Sequence, residues 1–188
     1  MDVHPGRHLG RHPDRHLVVI DMQRVFADPG SAWATPRFAE ILPRVAELAA
    51  GVRAVTFTRF VAPSTPKGSW VAYYERFPFA AKPPDDPMWD VVDGLGADPS
   101  RTISTTTFGK WGPRLAARVG DARLVLAGVS TECCVVATAV AAADAGARVE
   151  VVADACAGAT DASHAAALGV LEWFAPQVTL VQSADLLT

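Results

Sequence analysis

Two segments of the chain hold side chains that a nucleophilic reaction can use. In Val18-Val19-Ile20-Asp21-Met22-Gln23 an apolar run ends on a carboxylate. In Leu126-Ala127-Gly128-Val129-Ser130-Thr131-Glu132-Cys133-Cys134-Val135 a second apolar run passes through small residues into an Ala-rich stretch. That order reads as strand, turn and helix, and it sets Cys134 in the first helical turn. Free backbone N–H groups and the positive end of the helix dipole lower a thiol's pKa there and hold a developing oxyanion. A thiol and a carboxylate then make a nucleophile and a base. Each has a plainer reading when taken alone: a strand-end Asp caps the turn that follows, and a free cysteine fills apolar core.

Bringing the two segments together requires a scaffold, and the hydropathy pattern supplies one. Short β-rich runs at residues 17–21, 54–58, 102–104, 124–127, 149–153 and 178–181 alternate with helical segments at 36–50, 112–119, 131–145 and 161–174. The runs are nearly all apolar, as strands covered on both faces are, and the alternation predicts repeated βαβ units. The expected fold is a three-layer α/β/α sandwich with a mainly parallel six-stranded sheet, Rossmann-like in its winding. In such sheets ligands bind outside the carboxyl ends of the strands, where both motifs lie. Residues 61–98 form a long insertion carrying Trp70, Tyr73, Tyr74, Phe77, Phe79 and Trp89, and are read as a loop over a site or a subunit interface.

Composition narrows the function classes. The chain has 188 residues, half of them hydrophobic and a fifth charged, and a net charge of -3. This suits one domain, expected over residues 17–188, and offers no basic footprint for nucleic acid. The longest apolar runs are strand-length, so no membrane span and no signal peptide are read. Three cysteines, two of them adjacent, describe no disulfide framework and suit a reducing cytoplasm. His4, His8, His12 and His16 recur at helical spacing, but Pro5, Gly6, Gly10 and Pro13 break that helix, so residues 1–16 are read as a flexible arm without a metal site.

Taken jointly, the motifs resemble the isochorismatase-like cysteine-hydrolase family, which includes isochorismatases and nicotinamidases. The resemblance runs from Leu17 to Leu187. It is carried by Ile20-Asp21-Met22-Gln23 with Phe26, by Gly128 to Val135, by Ala137-Thr138-Ala139 and by Val151-Val152-Ala153-Asp154-Ala155. It implies that Cys134 is the nucleophile, that Asp21 is its base and that Cys133 is a packing neighbour. It also implies a cis peptide between Val129 and Ser130, and an oxyanion site at the backbone amides of Ser130 and Cys134. The reaction implied is hydrolysis through a thioester.

The sequence departs from the family in two places. The family lysine ends the third strand three residues before an aromatic; aligned on Phe108, that place holds Thr105. Three readings fill its role: Lys110 substitutes if the loop Thr107-Phe108-Gly109-Lys110-Trp111-Gly112 turns it back, Arg59 or another cation substitutes, or the helix dipole alone lowers the thiol pKa. A fourth reading is that hydrolysis has been lost and the scaffold binds or regulates. The metal ligands of nicotinamidases, an Asp and histidines after the second strand, are replaced by Thr58-Arg59-Phe60-Val61-Ala62-Pro63, so no metal and no cofactor is expected.

The substrate is therefore read as a small organic amide or lactam, with Gln23, Phe26, Arg59, Trp70, Tyr73 and Trp111 assigned to bind it. A carboxylated vinyl ether, with Arg59 as its partner, is the alternative. The resemblance also implies a homo-oligomer. His164 and Cys156 are given no role.

Overall fold

The computed structural model describes residues 14–187. Its strands are β1 (Arg15–Ile20), β2 (Ala54–Phe60), β3 (Thr102–Thr105), β4 (Arg123–Val129), β5 (Val149–Ala157) and β6 (Val178–Val181). Its helices are α1 (Arg24–Ala27), α2 (Phe38–Gly51), α3 (Trp70–Arg76), α4 (Pro113–Val119), α5 (Val136–Asp144) and α6 (Asp161–Glu172). The strands form one sheet in the order β3-β2-β1-β4-β5-β6, and every neighbouring pair is parallel.

The near-continuous apolar runs arise because side chains alternate across a sheet buried on both faces. Leu17, Val19, Val125 and Ala127 face one layer, where Val45 and Leu48 of α2 cover them. Val18, Ile20, Leu124 and Leu126 face the other, under Leu115 of α4, Ala139 and Ala142 of α5 and Leu171 of α6. This is the three-layer architecture that the alternating pattern predicts.

Three features differ from the sequence reading. β1 begins at Arg15, two residues early, because Arg15 Nε and Arg123 Nη1 both hold the buried Glu150 carboxylate, at 2.9 and 3.0 Å. His16 is likewise inside β1, its Nε2 2.9 Å from Thr56 Oγ1, while His4, His8 and His12 lie outside the described residues with most of the expected arm. The insertion is not bare loop: it holds α3 and buries Trp89 completely. The helix expected from Thr131 begins instead as a π-turn, Thr131–Val135, before α5.

Candidate active site

The sheet order makes the boundary between β1 and β4 a topological switch point: from β1 the chain winds outward through β2 and β3, from β4 through β5 and β6. Loops leaving those two strands diverge and open a crevice at their carboxyl ends. Asp21 follows β1 and Cys134 sits in the turn after β4, so the fold itself juxtaposes them.

Local backbone fixes both. Asp21 has a φ of 46°, a left-handed conformation in which Asp is among the better tolerated non-glycine residues. Its N–H donates to Thr58 Oγ1 (3.2 Å), and the Thr58 hydroxyl donates back to Asp21 Oδ1 (2.7 Å). On β4, Gly128 (φ 119°) is required as glycine, since a Cβ there would stand 2.1 Å from the carbonyl oxygen of Ile20 on β1. The Val129–Ser130 peptide is cis. In the π-turn the Ser130 carbonyl accepts the N–H groups of Cys133 and Val135, both at 3.2 Å, and not that of Cys134 between them.

The cation comes from Lys110. Its Nζ lies 2.8 Å from Asp21 Oδ2, and neither side chain is exposed to solvent. Beside this ion pair the ammonium donates to the Thr107 carbonyl (2.9 Å) and to Thr105 Oγ1 (3.2 Å). Phe60 covers it, ring centroid at 5.3 Å. What turns the loop back is Thr138 on α5: its hydroxyl accepts the Lys110 N–H (2.9 Å) and donates to the Cys134 carbonyl (2.6 Å), tying cation and thiol to one side chain. Thr105, aligned with the family lysine, is a ligand of the ammonium instead.

The Cys134 thiol is buried beside the Asp21 carboxylate. Burial raises its pKa well above the ordinary value; the Asp21 charge raises it further, and Lys110 opposes both. The resting pair is thus a neutral thiol against a carboxylate whose charge Lys110 balances. Above it opens a cavity of about 260 Å³, walled by Phe26, Trp33, Phe60, Tyr73, Phe77 and Phe108, with Ser130, Glu132, Cys133 and Cys134 at its polar end. Burial raises the Tyr73 phenol, which enters the wall as a neutral group.

Residues 15–183 match the family model described as the Isochorismatase domain. The chain belongs to the isochorismatase family. Solved structures repeat the fold of this family member. A cysteine hydrolase from Pseudomonas syringae pv. phaseolicola 1448A aligns with a TM-score of 0.77 at 18% identity over 97% of each chain. An isochorismatase family protein from Desulfovibrio vulgaris aligns at 0.77 with 22% identity, over 92% of this chain and 96% of its own. The pyrazinamidase of Pyrococcus horikoshii, solved in complex with zinc, aligns at 0.71 with 27% identity, over 90% of this chain and 99% of its own. No curated protein matches the chain.

Among the described residues this family member has no group of three or more His, Cys, Asp or Glu side chains placed to hold a metal ion. The donor set does not fit such an ion. Of the residues expected to bind substrate, Phe26 and Tyr73 line the cavity; four do not. Gln23 is fully buried behind it, donating to the Phe60 and Trp89 carbonyls (2.9 and 2.6 Å) and accepting the Phe60 N–H (2.8 Å), so it fastens the insertion to β2. Arg59 points away from the cavity, to Ser104 Oγ (2.8 Å) and Asp90 (3.8 Å), because alternate residues of a strand face opposite sides. Trp70 backs the wall against Phe108 and Phe60, and Trp111 lines a different depression beside Gly120 and Gly146.

Several site residues have no counterpart in the sequence reading. Thr58 was readable as a polar residue ending an apolar run. Glu132 stands in the thiol motif itself, and Cys133, expected there as a packing neighbour, is exposed and lines the cavity. Trp33, which packs on Phe26, Phe60, Tyr73 and Phe77, lies in a short loop with no local signal.

Proposed function

We propose that this isochorismatase-family chain is a thiol hydrolase of small amides, with Cys134 as nucleophile, Asp21 as general base and Lys110 as the cation that steadies the base. The observation that carries the reading is the solvent-free pair of Lys110 and Asp21 beneath the Cys134 thiol. Desolvating two charges is expensive, and a scaffold that only binds has no use for such a pair under a thiol.

In the first step Asp21 takes the thiol proton as sulfur attacks the amide carbon, and charge collects on the former carbonyl oxygen. The N–H groups of Ser130 and Cys134 are the donors assigned to that oxyanion. Collapse of the adduct breaks the C–N bond; Asp21 returns its proton to the departing amine, leaving a thioester on Cys134. Asp21 then deprotonates a water molecule, which attacks the thioester, releases the carboxylic acid and restores the thiol. The proton moves within the site, so the thiolate forms facing the Lys110 Nζ that lies beside Asp21.

A carboxylated vinyl ether fits less well. Among the described residues no Lys or Arg lines the cavity, and Arg59 is engaged elsewhere. Tested on a panel of small aromatic and aliphatic amides, the wild type should release amine and accumulate an acyl adduct on Cys134 detectable by intact mass. Cys134→Ser and Asp21→Asn should do neither. Lack of turnover and of adduct across the panel would overturn the reading in favour of a binding protein.

A further inference from the structure

The cavity that serves as substrate site in this reading carries one charged group of its own. Glu132, in the π-turn, lines it beside Cys133 and Ser130. Its Oε1 accepts the Ala159 N–H (2.8 Å), which holds the carboxylate against the loop after β5. Its Oε2 is buried and has no hydrogen-bond partner. Gly158 makes room for it, since a Cβ at that residue would stand 2.5 Å from Oε2.

No Lys or Arg pairs with this carboxylate among the described residues. His164 turns its Nδ1 to Thr131 Oγ1 (2.8 Å) instead of to Glu132, and burial lowers its pKa. Asp21 and Lys110 cancel each other below the cavity floor. The Glu132 charge is therefore uncompensated, and its field already raises the Cys133 thiol, second to burial. The remaining wall is aromatic.

We propose that Glu132 sets the charge selectivity of the site: the cavity takes flat, small, neutral or cationic amides and rejects carboxylated ones. The size bound follows from the volume, about 260 Å³, which falls below the ~300–1,000 Å³ of sites for drug-sized ligands. The shape follows from six aromatic rings, whose negative faces also favour a cation over an anion. The charge bound follows from a lone carboxylate in a poorly hydrated pocket, where Coulomb forces exceed those in water several-fold. This rests on the thiol-hydrolase reading only in taking the cavity as the substrate site.

Three probes of nearly one shape and different charge test it: benzamidine (cation), benzamide (neutral) and benzoate (anion). Their binding is followed by Trp33 fluorescence and calorimetry on the full chain, with benzamide measured in Cys134→Ser so that turnover does not intervene. Benzamidine and benzamide should bind roughly tenfold or more tightly than benzoate. Glu132→Gln keeps the acceptor for Ala159 and removes the charge; it should collapse benzamidine and benzoate towards equal affinity. A purely structural Glu132 would instead weaken all three alike, and that result overturns the proposal, as does benzoate binding as well as benzamidine to the wild type or no probe binding at all. If Glu132→Gln fails to fold, the wild-type ranking alone decides. A charge ranking that stands without any amide turnover sinks the hydrolase reading and spares the charge filter.

Discussion

Replacing Lys110 by Met keeps most of the side-chain volume and removes the charge. The ammonium loses an ion pair of 2.8 Å and two further oxygen contacts, and Asp21 Oδ2 is left in the interior with no partner, since Lys110 is the one it has. Removing one member of a buried pair costs about 3–5 kcal/mol, a large part of the ~5–15 kcal/mol that holds a domain folded. For a chain of this size the midpoint of thermal unfolding should fall by roughly 6–20 °C.

The second half of the prediction is the double variant. Asp21→Asn keeps a residue that tolerates the left-handed backbone and can still bond Thr58, while removing the stranded charge. Lys110→Met combined with Asp21→Asn should therefore be more stable than Lys110→Met alone, by about 1–3 kcal/mol of coupling. Urea titrations of the four proteins of this cycle measure it. Iodoacetamide alkylation of Cys134, located by fragment mass spectrometry, should slow by roughly tenfold or more in Lys110→Met, because the one charge that lowers the thiol's pKa is gone. A single-variant loss under about 1 kcal/mol, or strictly additive variants, would refute the buried pair.

Three further outcomes follow from the geometry. Thr58→Val removes both hydrogen bonds that orient Asp21, at 3.2 and 2.7 Å; it should lose about 1–3 kcal/mol of stability in urea and lower kcat more than it raises KM. Trp33→Ala should raise KM for an aromatic amide by about tenfold whereas Arg59→Ala leaves it unchanged, since one lines the cavity and the other faces Asp90 and Ser104; equal effects would misplace the site. Burial holds the Cys156 thiol at about 12, while an unfolded thiol ionises near ~8.5. Above that pH the unfolded chain binds fewer protons than the folded one, so stability falls with rising pH, by up to ~1.4 kcal/mol per unit for each such thiol. Between about pH 9 and 11 the urea midpoint of Cys156→Ala should decline less steeply than that of the wild type, and an unchanged slope would deny the burial.

Much of the molecule was legible from local pattern. Six short runs gave six strands because a sheet covered on both faces favours apolar side chains along its central strands, while the edge strand β3 keeps only Ile103 buried. Asp21 and Cys134 were found because both stand where a strand ends, and strand ends in an open parallel sheet meet in one crevice. Glu132 was printed in the same motif and passed over, since its meaning depends on which charges fail to reach it.

What the sequence could not decide was set by contacts distant along the chain. The place aligned with the family lysine holds Thr105, and local spacing left Lys110 as one candidate beside Arg59 and the helix dipole. Its entry depends on Thr138, 28 residues further on, which bonds both the Lys110 N–H and the Cys134 carbonyl. Gln23 and Arg59 were assigned to substrate on residue type; the insertion's fit against β2 made Gln23 a fastener, and strand alternation turned Arg59 away. The sequence by itself determined the elements and the two reactive groups, because hydropathy period and strand-end position are properties of neighbouring residues. The identity of the cation, the walls of the cavity and its unbalanced charge were decided by the tertiary structure, because a buried charge is stable only where the whole fold brings its partners within hydrogen-bonding distance.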